Sequence, residues 1–320
     1  MKRIVVSQYG GPEKLVLQDS PAQKPDPGQV LVHLQAAGVN PVDGYRRAGS
    51  HGYNPPLPFT PGFEGAGVVA DLGDGVTGLE VGQSVYVGWS VTGTYGQWCL
   101  AASHRVFPLP SGLSMEQAAG LFVPYFTAYR ALVHRGQFRK GDKILIHGAS
   151  GSVGLAAIQW CVFLGLVPWG TAGSSHGVQR VLNAGAVGCE DHGETDYLNK
   201  LKEQSGGFDG ILEMNAHLNL DKDLDVLTVG GRVVVIGSKG EVSLNPRKTM
   251  GIEADIRGMV LMKADEGELE ETHLALVQGV SRGVIRPWVG KVLPIKQAPQ
   301  AHELMDRSPS EGKIILSTEI

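Results

Sequence analysis

The stretch from Lys143 to Gln159 constrains the fold of this chain more than any other segment. It reads Lys-Ile-Leu-Ile-His-Gly-Ala-Ser-Gly-Ser-Val-Gly-Leu-Ala-Ala-Ile-Gln, an apolar strand followed by a glycine-rich turn and then directly by an apolar helix. In such a turn Gly151 lets the backbone approach a pyrophosphate, and Gly154 lets the helix pack closely on the strand. Ala149 occupies the place of the first glycine in G-x-G-x-x-G, so a plain tight turn is the alternative. The strand–turn–helix context favours a dinucleotide site.

The second predicted strand ends without a carboxylate. NAD sites place an Asp or Glu roughly 20 residues after the glycines, where it bonds the ribose 2′-hydroxyl. No acidic residue lies between Leu155 and Cys189, and the tip of the strand, Thr171–Ser175, carries hydroxyl groups. Arg180 lies a short way along the following helix, either near a 2′-phosphate or on a solvated face. The sequence therefore favours NADPH over NADH.

Composition narrows the class of protein. The chain has 320 residues, enough for two domains with substantial cores, and a net charge of −4 with interspersed signs. Neither nucleic acid nor a membrane is expected as a partner. Cys99, Cys161 and Cys189 are isolated, which predicts a reducing compartment, the cytoplasm. The N-terminus does not resemble a signal peptide, and no apolar run is long enough to span a bilayer.

The pattern of predicted secondary structure changes twice along the chain. Residues 1–122 read as short strands separated by Gly and Pro, which predicts a partly open β-barrel. Residues 123–263 alternate strands with helices, near 152–164, 175–184, 195–204 and 219–228, which predicts a doubly wound parallel sheet. Residues 264–320 are expected to return to the first domain.

Further motifs identify a family. They are Ala37-Gly-Val-Asn-Pro-Val-Asp-Gly-Tyr45, Pro58-Phe-Thr-Pro-Gly-Phe-Glu-Gly-Ala-Gly67, Val123-Pro-Tyr-Phe-Thr127, Gly230-Gly-Arg-Val-Val-Val-Ile-Gly237 and Asn245-Pro-Arg-Lys-Thr-Met250. With them, essentially the whole chain resembles the zinc-independent quinone oxidoreductases, of the zeta-crystallin type, in the medium-chain dehydrogenase/reductase superfamily. The resemblance implies a GroES-like N-terminal substrate domain, an inserted Rossmann domain that binds NADPH, and a homodimer or homotetramer.

The zinc-ligand positions of related alcohol dehydrogenases carry other residues here. Asn40 stands at the first position and Phe63 at the second, within Gly62-Phe63-Glu64. The three cysteines are too far apart for the structural zinc lobe. We therefore predict no metal, and we interpret Glu64 as a packing and hydrogen-bonding residue. Without a Lewis acid, reduction of a conjugated carbonyl is favoured over alcohol oxidation.

The resemblance implies three catalytic residues. Asn40 can bond the cofactor ribose or the substrate carbonyl, or it can be only a turn residue before Pro41. Tyr45 can donate to the oxygen that gains charge, or pack under a loop. Thr127 resembles the position that touches the nicotinamide, but its hydroxyl can instead bond its own helix.

The cofactor contacts implied by the resemblance follow the carboxyl ends of the parallel strands. In chain order they are Ser150, Gly151, Ser152, Val153 and Gly154 at the pyrophosphate, Gly173 and Ser174 at the adenosine ribose, His192 against adenine, then Asn219, Ile236, Gly237, Ser238, Lys239, Met259, Val260 and Leu261.

Several of these residues also have structural interpretations. His192 can be a lone loop histidine, Asn219 a helix N-cap, and Ser238 and Lys239 a surface turn. Gly177 stands where other members carry a Lys that pairs with the 2′-phosphate. His147 is interpreted as a satisfied core histidine, and His217 as a loop residue near the cofactor.

The leading prediction is an NADPH-dependent reductase of quinones or other α,β-unsaturated carbonyl compounds. The runner-up is an enoyl-thioester reductase, which needs a basic groove for the phosphate of a carrier, and Arg46 and Arg47 leave that open. A third possibility is a non-catalytic, crystallin-like protein that binds NADPH or RNA, but the sequence shows no basic–aromatic stripe.

Overall fold

The structure of the protein, a computed structural model, describes residues 1–307 and 312–319. Its strands, in chain order, are β1 (Lys2–Val5), β2 (Val16–Asp19), β3 (Gln29–Gly38), β4 (Glu64–Leu72), β5 (Ser84–Gly88), β6 (Trp98–Ala102), β7 (Val106–Pro108), β8 (Lys143–Ile146), β9 (Val167–Ala172), β10 (Gly188–Asp191), β11 (Phe208–Glu213), β12 (Leu227–Val235), β13 (Asp255–Gly258), β14 (Val289–Pro294) and β15 (Lys313–Ser317).

The helices are α1 (Pro41–Ala48), α2 (Met115–Ala118), α3 (Thr127–Tyr129), α4 (Ser152–Leu164), α5 (Ser175–Asn183), α6 (Tyr197–Ser205), α7 (Ala216–Asp223), α8 (Pro246–Ile252), α9 (Glu266–Ser281) and α10 (Ala298–Arg307). Wider π-helical turns, Phe122–Phe126 and Arg130–Arg135, flank α3.

The chain forms two compact units. The first unit comprises Met1–Val123 with Pro287–Ile320, and the second comprises Pro124–Arg286. The predicted return at residue 264 is therefore too early, because α9 belongs to the second unit. Glu268 in α9 accepts a hydrogen bond of 2.8 Å from Nε of Arg130, and this ion pair holds the helix there.

A seven-stranded sheet organises the first unit. Its order is β14-β15-β3-β4-β5-β7, with β6 also paired to β3, and β1 and β2 form a separate hairpin. Only β14 and β15 run parallel in this sheet; its other pairings are antiparallel. Val30, Val32 and Leu34 of β3 face the core because alternate residues of a strand point to the same side.

A parallel six-stranded sheet organises the second unit. Its order is β10-β9-β8-β11-β12-β13, the doubly wound arrangement of a Rossmann domain. The predicted fold class is confirmed. Leu145, Ile211 and Val233 are fully buried in it, and burying a side chain of this size contributes roughly 1.5–3 kcal/mol. The carboxyl ends of these strands form the edge at which such sheets bind nucleotides.

Helices α1 and α7 differ from the sequence prediction. Helix α1 was not predicted, yet Asn40 precedes it, Pro41 is its first residue, and Gly49 ends it with a positive φ of 64°. The predicted helix at 219–228 lies at 216–223 instead, because Leu227 pairs with Phe208 as the start of β12.

Candidate functional site

The glycine-rich turn joins β8 to α4 in the second unit. Gly151 is the N-cap of α4, and no side chain caps the helix there. The N–H groups of the first turn are thus available to an anion. A Cβ atom at Gly154 would lie 2.5 Å from Ala149 Cα, so only glycine permits this packing. The turn residue with positive φ is Gly148, at 58°, which explains why Ala149 is tolerated at the next position.

The end of β9 carries hydroxyl groups and no carboxylate. Ser174 is the N-cap of α5, and its Oγ accepts a hydrogen bond of 3.1 Å from the backbone N–H of Gly177. A Cβ atom at Gly177 would lie 3.1 Å from that of Ala172, so the turn has little room for a larger side chain. Arg180 is 9% exposed, which rules out the solvated helix face.

Two predicted adenosine contacts lie side by side. A Cβ atom at Gly173 would lie only 2.9 Å from Nε2 of His192, so the imidazole covers this glycine. Burial lowers the pKa of His192, and the ring is therefore neutral at pH 7. A neutral ring offers one donor and one acceptor at the tip of β9.

Asn219 does not begin the helix after β11, contrary to the prediction. Asn215 precedes α7, and Asn219 lies inside it. The Nδ2 group of Asn219 donates to Glu213 Oε1 over 3.4 Å. The helix therefore begins one turn earlier than predicted, and Asn215 is its N-cap.

The segments after β12 and β13 line one pocket of about 450 Å³. The predicted residues among its lining are Ile236, Gly237, Ser238, Met259 and Val260. Arg130, Arg135 and Lys263 make the pocket basic. Two other predicted residues lie outside this lining: Leu261 is buried, and Lys239 is exposed, with its backbone N–H donating to Nδ1 of His217 over 3.2 Å.

A buried polar network surrounds Asn40 in the first unit. Asn40 is 2% exposed, and its Nδ2 donates to Glu64 Oε1 over 3.0 Å. Lys313, from β15, lies 2.5 Å from both Asn40 Oδ1 and Glu64 Oε1. The amide is thus engaged by the protein itself, and a role in holding the local fold is favoured over direct contact with a ligand. The interpretation of Glu64 as a hydrogen-bonding residue is confirmed, whereas Lys313 carried no sequence signal.

Asp43 fixes the start of α1. Its carboxylate accepts hydrogen bonds from the backbone N–H groups of Asn40, at 3.0 Å, and of Gly62, at 3.1 Å. Burial raises the pKa of Asp43 to about 7, although Lys313 acts in the opposite direction. This carboxyl group orients the loop that carries Asn40, and α1 in turn presents Tyr45.

Tyr45 lies in a small aromatic group on α1. Its ring centroid is 4.4 Å from that of His51 and 6.3 Å from that of Tyr53. Tyr45 is half-buried, and burial raises the pKa of its phenol, so the hydroxyl keeps its proton and can donate it in a hydrogen bond. Thr127, in α3, is 6% exposed.

The residues at the expected zinc positions do not fit the metal. Phe63 packs edge-on against Trp89 and lies 5.0 Å below the guanidinium of Arg46. Oδ1 of Asn40 accepts a hydrogen bond from the ammonium group of Lys313. Within residues 1–307 and 312–319, the one group of metal-ligating side chains with close spacing is His147, Glu213 and Asp223. It belongs to the second unit, whereas Asn40 and Phe63 belong to the first.

Two candidate functional residues from the sequence, Arg47 and His147, instead hold other side chains of the protein in place. Nη1 of Arg47 lies 2.9 Å from Nδ1 of His302, and the same guanidinium pairs with Asp306. His147 is confirmed as a satisfied core histidine, 2% exposed, with Nε2 at 2.9 Å from Asp223 Oδ1. In the described part of the chain, no helix combines the length and the apolar character needed to cross a membrane.

Two family models match the chain. Residues 26–138 match the alcohol dehydrogenase GroES-like domain. Residues 184–316 match the zinc-binding dehydrogenase model. The first match lies mostly in the first unit and runs into the start of the second. The second match begins in the second unit and ends in the first.

Individual relatives cover nearly the whole chain. A quinone oxidoreductase of Lama guanicoe is 43% identical over 323 residues, which is 99% of this chain and 97% of the relative. A human quinone oxidoreductase is 41% identical over 320 residues with the same coverage. The crystal structure of Escherichia coli quinone oxidoreductase complexed with NADPH superposes with a TM-score of 0.90 at 30% identity, covering 99% of this chain and 100% of that one. This chain therefore belongs to the quinone oxidoreductase family of the medium-chain dehydrogenase/reductase superfamily.

Proposed function

We propose that this protein reduces quinones, and other carbonyl compounds conjugated to a double bond, by hydride transfer from NADPH without zinc. The observation that carries the proposal is the glycine-rich turn at the carboxyl edge of the parallel sheet, with the uncapped N-terminus of α4 and a strand tip free of carboxylates. The E. coli relative, solved with NADPH, supports the choice of cofactor.

Different groups of the protein bind different parts of NADPH. The first turn of α4 holds the pyrophosphate through backbone N–H groups. Ser174 and its neighbours accept the 2′-phosphate, because no carboxylate opposes it. Ile236, Gly237, Ser238, Met259 and Val260 line the pocket that receives the nicotinamide half. When bound, NADPH supplies the hydride.

Tyr45 stabilises the charge that forms on the acceptor. Hydride transfer to a quinone or an enone leaves negative charge on a carbonyl oxygen, and a donor aimed at that oxygen lowers the barrier. The phenol of Tyr45 keeps its proton at neutral pH and is only half-buried. Asp43 fixes the start of α1, from which Tyr45 projects, and the side chain of Asn40 anchors that start to Glu64 and Lys313.

A zinc-free reaction agrees with the residues at the ligand positions. Asn40 bonds Lys313 and Glu64, and Phe63 is packed against Trp89. Neither side chain supplies the thiolate or imidazole that zinc needs. A quinone is already electrophilic and does not require a Lewis acid.

An acceptor panel separates this function from its alternatives. The purified protein is supplied with NADPH and, in turn, an ortho-quinone, a para-quinone, a simple enone and an enoyl thioester. We expect NADPH oxidation with quinones and a slower reaction with the enone. A higher kcat/KM for the enoyl thioester would favour the thioester reductase, although Arg47 is already paired with His302 and Asp306. Tight NADPH binding without oxidation by any acceptor would favour the non-catalytic protein.

A further inference from the structure

Three ionisable side chains that the proposed reaction does not use meet next to the glycine-rich turn. His147 follows β8, Glu213 ends β11 and Asp223 ends α7, and each is at most 2% exposed. Nε2 of His147 lies 2.9 Å from Asp223 Oδ1 and 3.6 Å from Glu213 Oε2. We call these three residues the buried triad.

The buried triad has two carboxylate oxygens without hydrogen-bond partners. Oε2 of Glu213 and Oδ2 of Asp223 are fully buried and make no hydrogen bond. Two carboxylates this close repel each other, and one proton shared between them removes the repulsion. With that proton and a protonated His147, the buried triad is neutral. Without it, the triad carries one uncompensated negative charge in the interior, which is costly.

A proton fits this geometry better than a metal ion. The ligand atoms of the buried triad lie within 4.8 Å of one another, and the three residue types bind metals. Tetrahedral zinc, with bonds of about 2.0–2.2 Å, separates its ligands by about 3.3–3.6 Å. The 2.9 Å between His147 Nε2 and Asp223 Oδ1 is instead a direct hydrogen bond.

Hydrogen bonds connect the buried triad to the turn. Nδ1 of His147 lies 3.3 Å from Thr171 Oγ1, and the same hydroxyl oxygen accepts a hydrogen bond of 3.2 Å from the backbone N–H of Gly148. Oε1 of Glu213 accepts from the backbone N–H of Asn215 at the start of α7. The charge of the triad therefore acts where β8, β9 and β11 end.

We propose that the buried triad is a proton-binding site linked to NADPH binding. The anionic cofactor at the glycine-rich turn favours the neutral triad, so binding takes one proton from solvent onto the Glu213–Asp223 pair, and release of the cofactor returns it. This inference rests on the proposed function, because it requires that NADPH bind at this turn.

The carboxyl group of Glu213 titrates in the neutral range. Burial raises the pKa of Glu213 to about 7; Asp223 acts in the same direction and His147 in the opposite one. Burial, which alone would lower the pKa of His147, is outweighed by Asp223 and Glu213, so this pKa is raised, which favours the protonated ring.

Two other titratable groups face the buried triad. Tyr197, on α6, has a pKa raised to about 12 by burial and by the charges of Asp223 and Glu213. Its phenol keeps its proton. His192, after β10, has a pKa lowered by burial, and the charge of His147 lowers it further. Its ring is neutral, so neither group changes its charge between pH 7 and about 9.

The sign of the linkage follows from these charges. A nearby anion raises the pKa of the Glu213 carboxyl group. At a pH below the pKa that this carboxyl group has in the NADPH-free protein, the group is protonated with or without NADPH. The affinity for NADPH then does not depend on pH through this group. Between the pKa values of the free and bound forms, binding takes up a proton, so affinity falls as pH rises, by at most about tenfold per pH unit.

Calorimetric titration of the whole protein with NADPH tests the linkage. The number of protons taken up is obtained at several pH values from 6.5 to 8.5 in buffers of different ionisation enthalpy. The variant Glu213→Gln keeps the acceptor for Asn215 and offers an N–H to Asp223 in place of the shared proton. Glu203→Gln, on the exposed side of α6, is the control. Titration of the cofactor's own 2′-phosphate contributes equally to all three proteins.

We expect the wild type and Glu203→Gln to take up several tenths of a proton more than Glu213→Gln at pH 7.5. At pH 8.5, Glu213→Gln should bind NADPH about 3- to 10-fold more tightly than the wild type, because its triad is permanently neutral. Equal uptake in the three proteins would overturn the inference while leaving the proposed function intact. Absence of NADPH binding by the wild type would overturn both.

Two further measurements keep the inference falsifiable. If Glu213→Gln does not fold, Asp223→Asn provides the same comparison. Addition of Co²⁺ to the wild type is expected to give no binding signal. Cobalt binding that disappears in His147→Gln would identify the buried triad as a metal site and overturn its assignment to a proton.

Discussion

Nζ of Lys313 donates to Asn40 Oδ1 over 2.5 Å, and the same ammonium pairs with Glu64 Oε1 at 2.5 Å. Asn40 stands at the position that supplies the first zinc ligand in the alcohol dehydrogenases. A cation that belongs to the chain therefore neutralises Glu64 beside this position, and the amide of Asn40 is held in one orientation.

Replacement of Lys313 by Met should be strongly destabilising. Lys313 and Glu64 are 4% and 1% exposed, so the substitution leaves a buried carboxylate without its partner. Loss of one member of a buried pair typically costs about 3–5 kcal/mol. Urea unfolding should show this loss, and the double variant Glu64→Gln/Lys313→Met should recover part of it. A loss below about 1 kcal/mol in the single variant would mean that solvent reaches the pair.

Cofactor choice should depend on the tip of β9. Asp in place of Ser174 keeps an acceptor for the backbone N–H of Gly177 but places a negative charge near the 2′-phosphate. We expect the wild type to prefer NADPH at least several-fold, and Ser174→Asp to weaken NADPH binding by about 1–3 kcal/mol with little change for NADH. Ser174→Ala, which removes the cap without adding charge, is the control. A wild type that binds both cofactors equally would show that the missing acidic residue does not decide the choice.

Stability should fall in mild acid through His302. Burial, together with Arg47, lowers the pKa of His302 to about 3, whereas an unfolded histidine titrates near 6.5. The unfolded chain therefore binds more protons between these values, so stability is full above pH 6.5 and declines below it. From pH 6.5 to 5 this group should cost about 2 kcal/mol. Urea midpoints of the wild type and of His302→Gln, which retains an acceptor for Arg47, provide the measurement. Parallel pH profiles would exclude His302 as the source.

Sequence patterns predicted the fold closely where local chemistry and tertiary structure agree. The strand–turn–helix pattern at 143–159 predicted both ends of α4 correctly. The helix after β11 was misplaced because its apolar residues run on into β12, and the competing pairing of Leu227 with Phe208 is not local.

The candidate site was less predictable because its contacts, too, join residues that are distant in sequence. Asn40, Pro41 and Asp43 together form a readable helix start, and Gly49 a readable end, but Asn-Pro also favours turns. Lys313 had no sequence signal, because its partner Asn40 is 273 positions away in sequence and its partner Glu64 is nearly as distant. Only the paired strands β15, β3 and β4 bring these groups together.

Tyr45→Phe tests the proposed hydrogen-bond donor. Loss of one such donor typically costs about 10²–10³ in rate where it is the main stabiliser, and solvent can replace it in an open site. Because Tyr45 is only half-buried, we expect kcat to fall by roughly 5- to 50-fold, with less than about a threefold change in the NADPH dissociation constant. His51→Ala, which removes a neighbouring ring, serves as the control. An unchanged kcat with weaker NADPH binding would make Tyr45 a packing residue.

Hydride transfer to a quinone in the absence of metal is the central claim, and the kinetic isotope effect of NADPH deuterated at C4 tests it most directly. The purified protein, assayed with a quinone in excess chelator and checked for zinc by elemental analysis, should oxidise one NADPH for each quinone that it reduces. Its rate should be slowed by deuterium at one of the two C4 positions only. Loss of turnover on chelation together with about one zinc per chain, or an absence of NADPH oxidation by any quinone, would contradict the account.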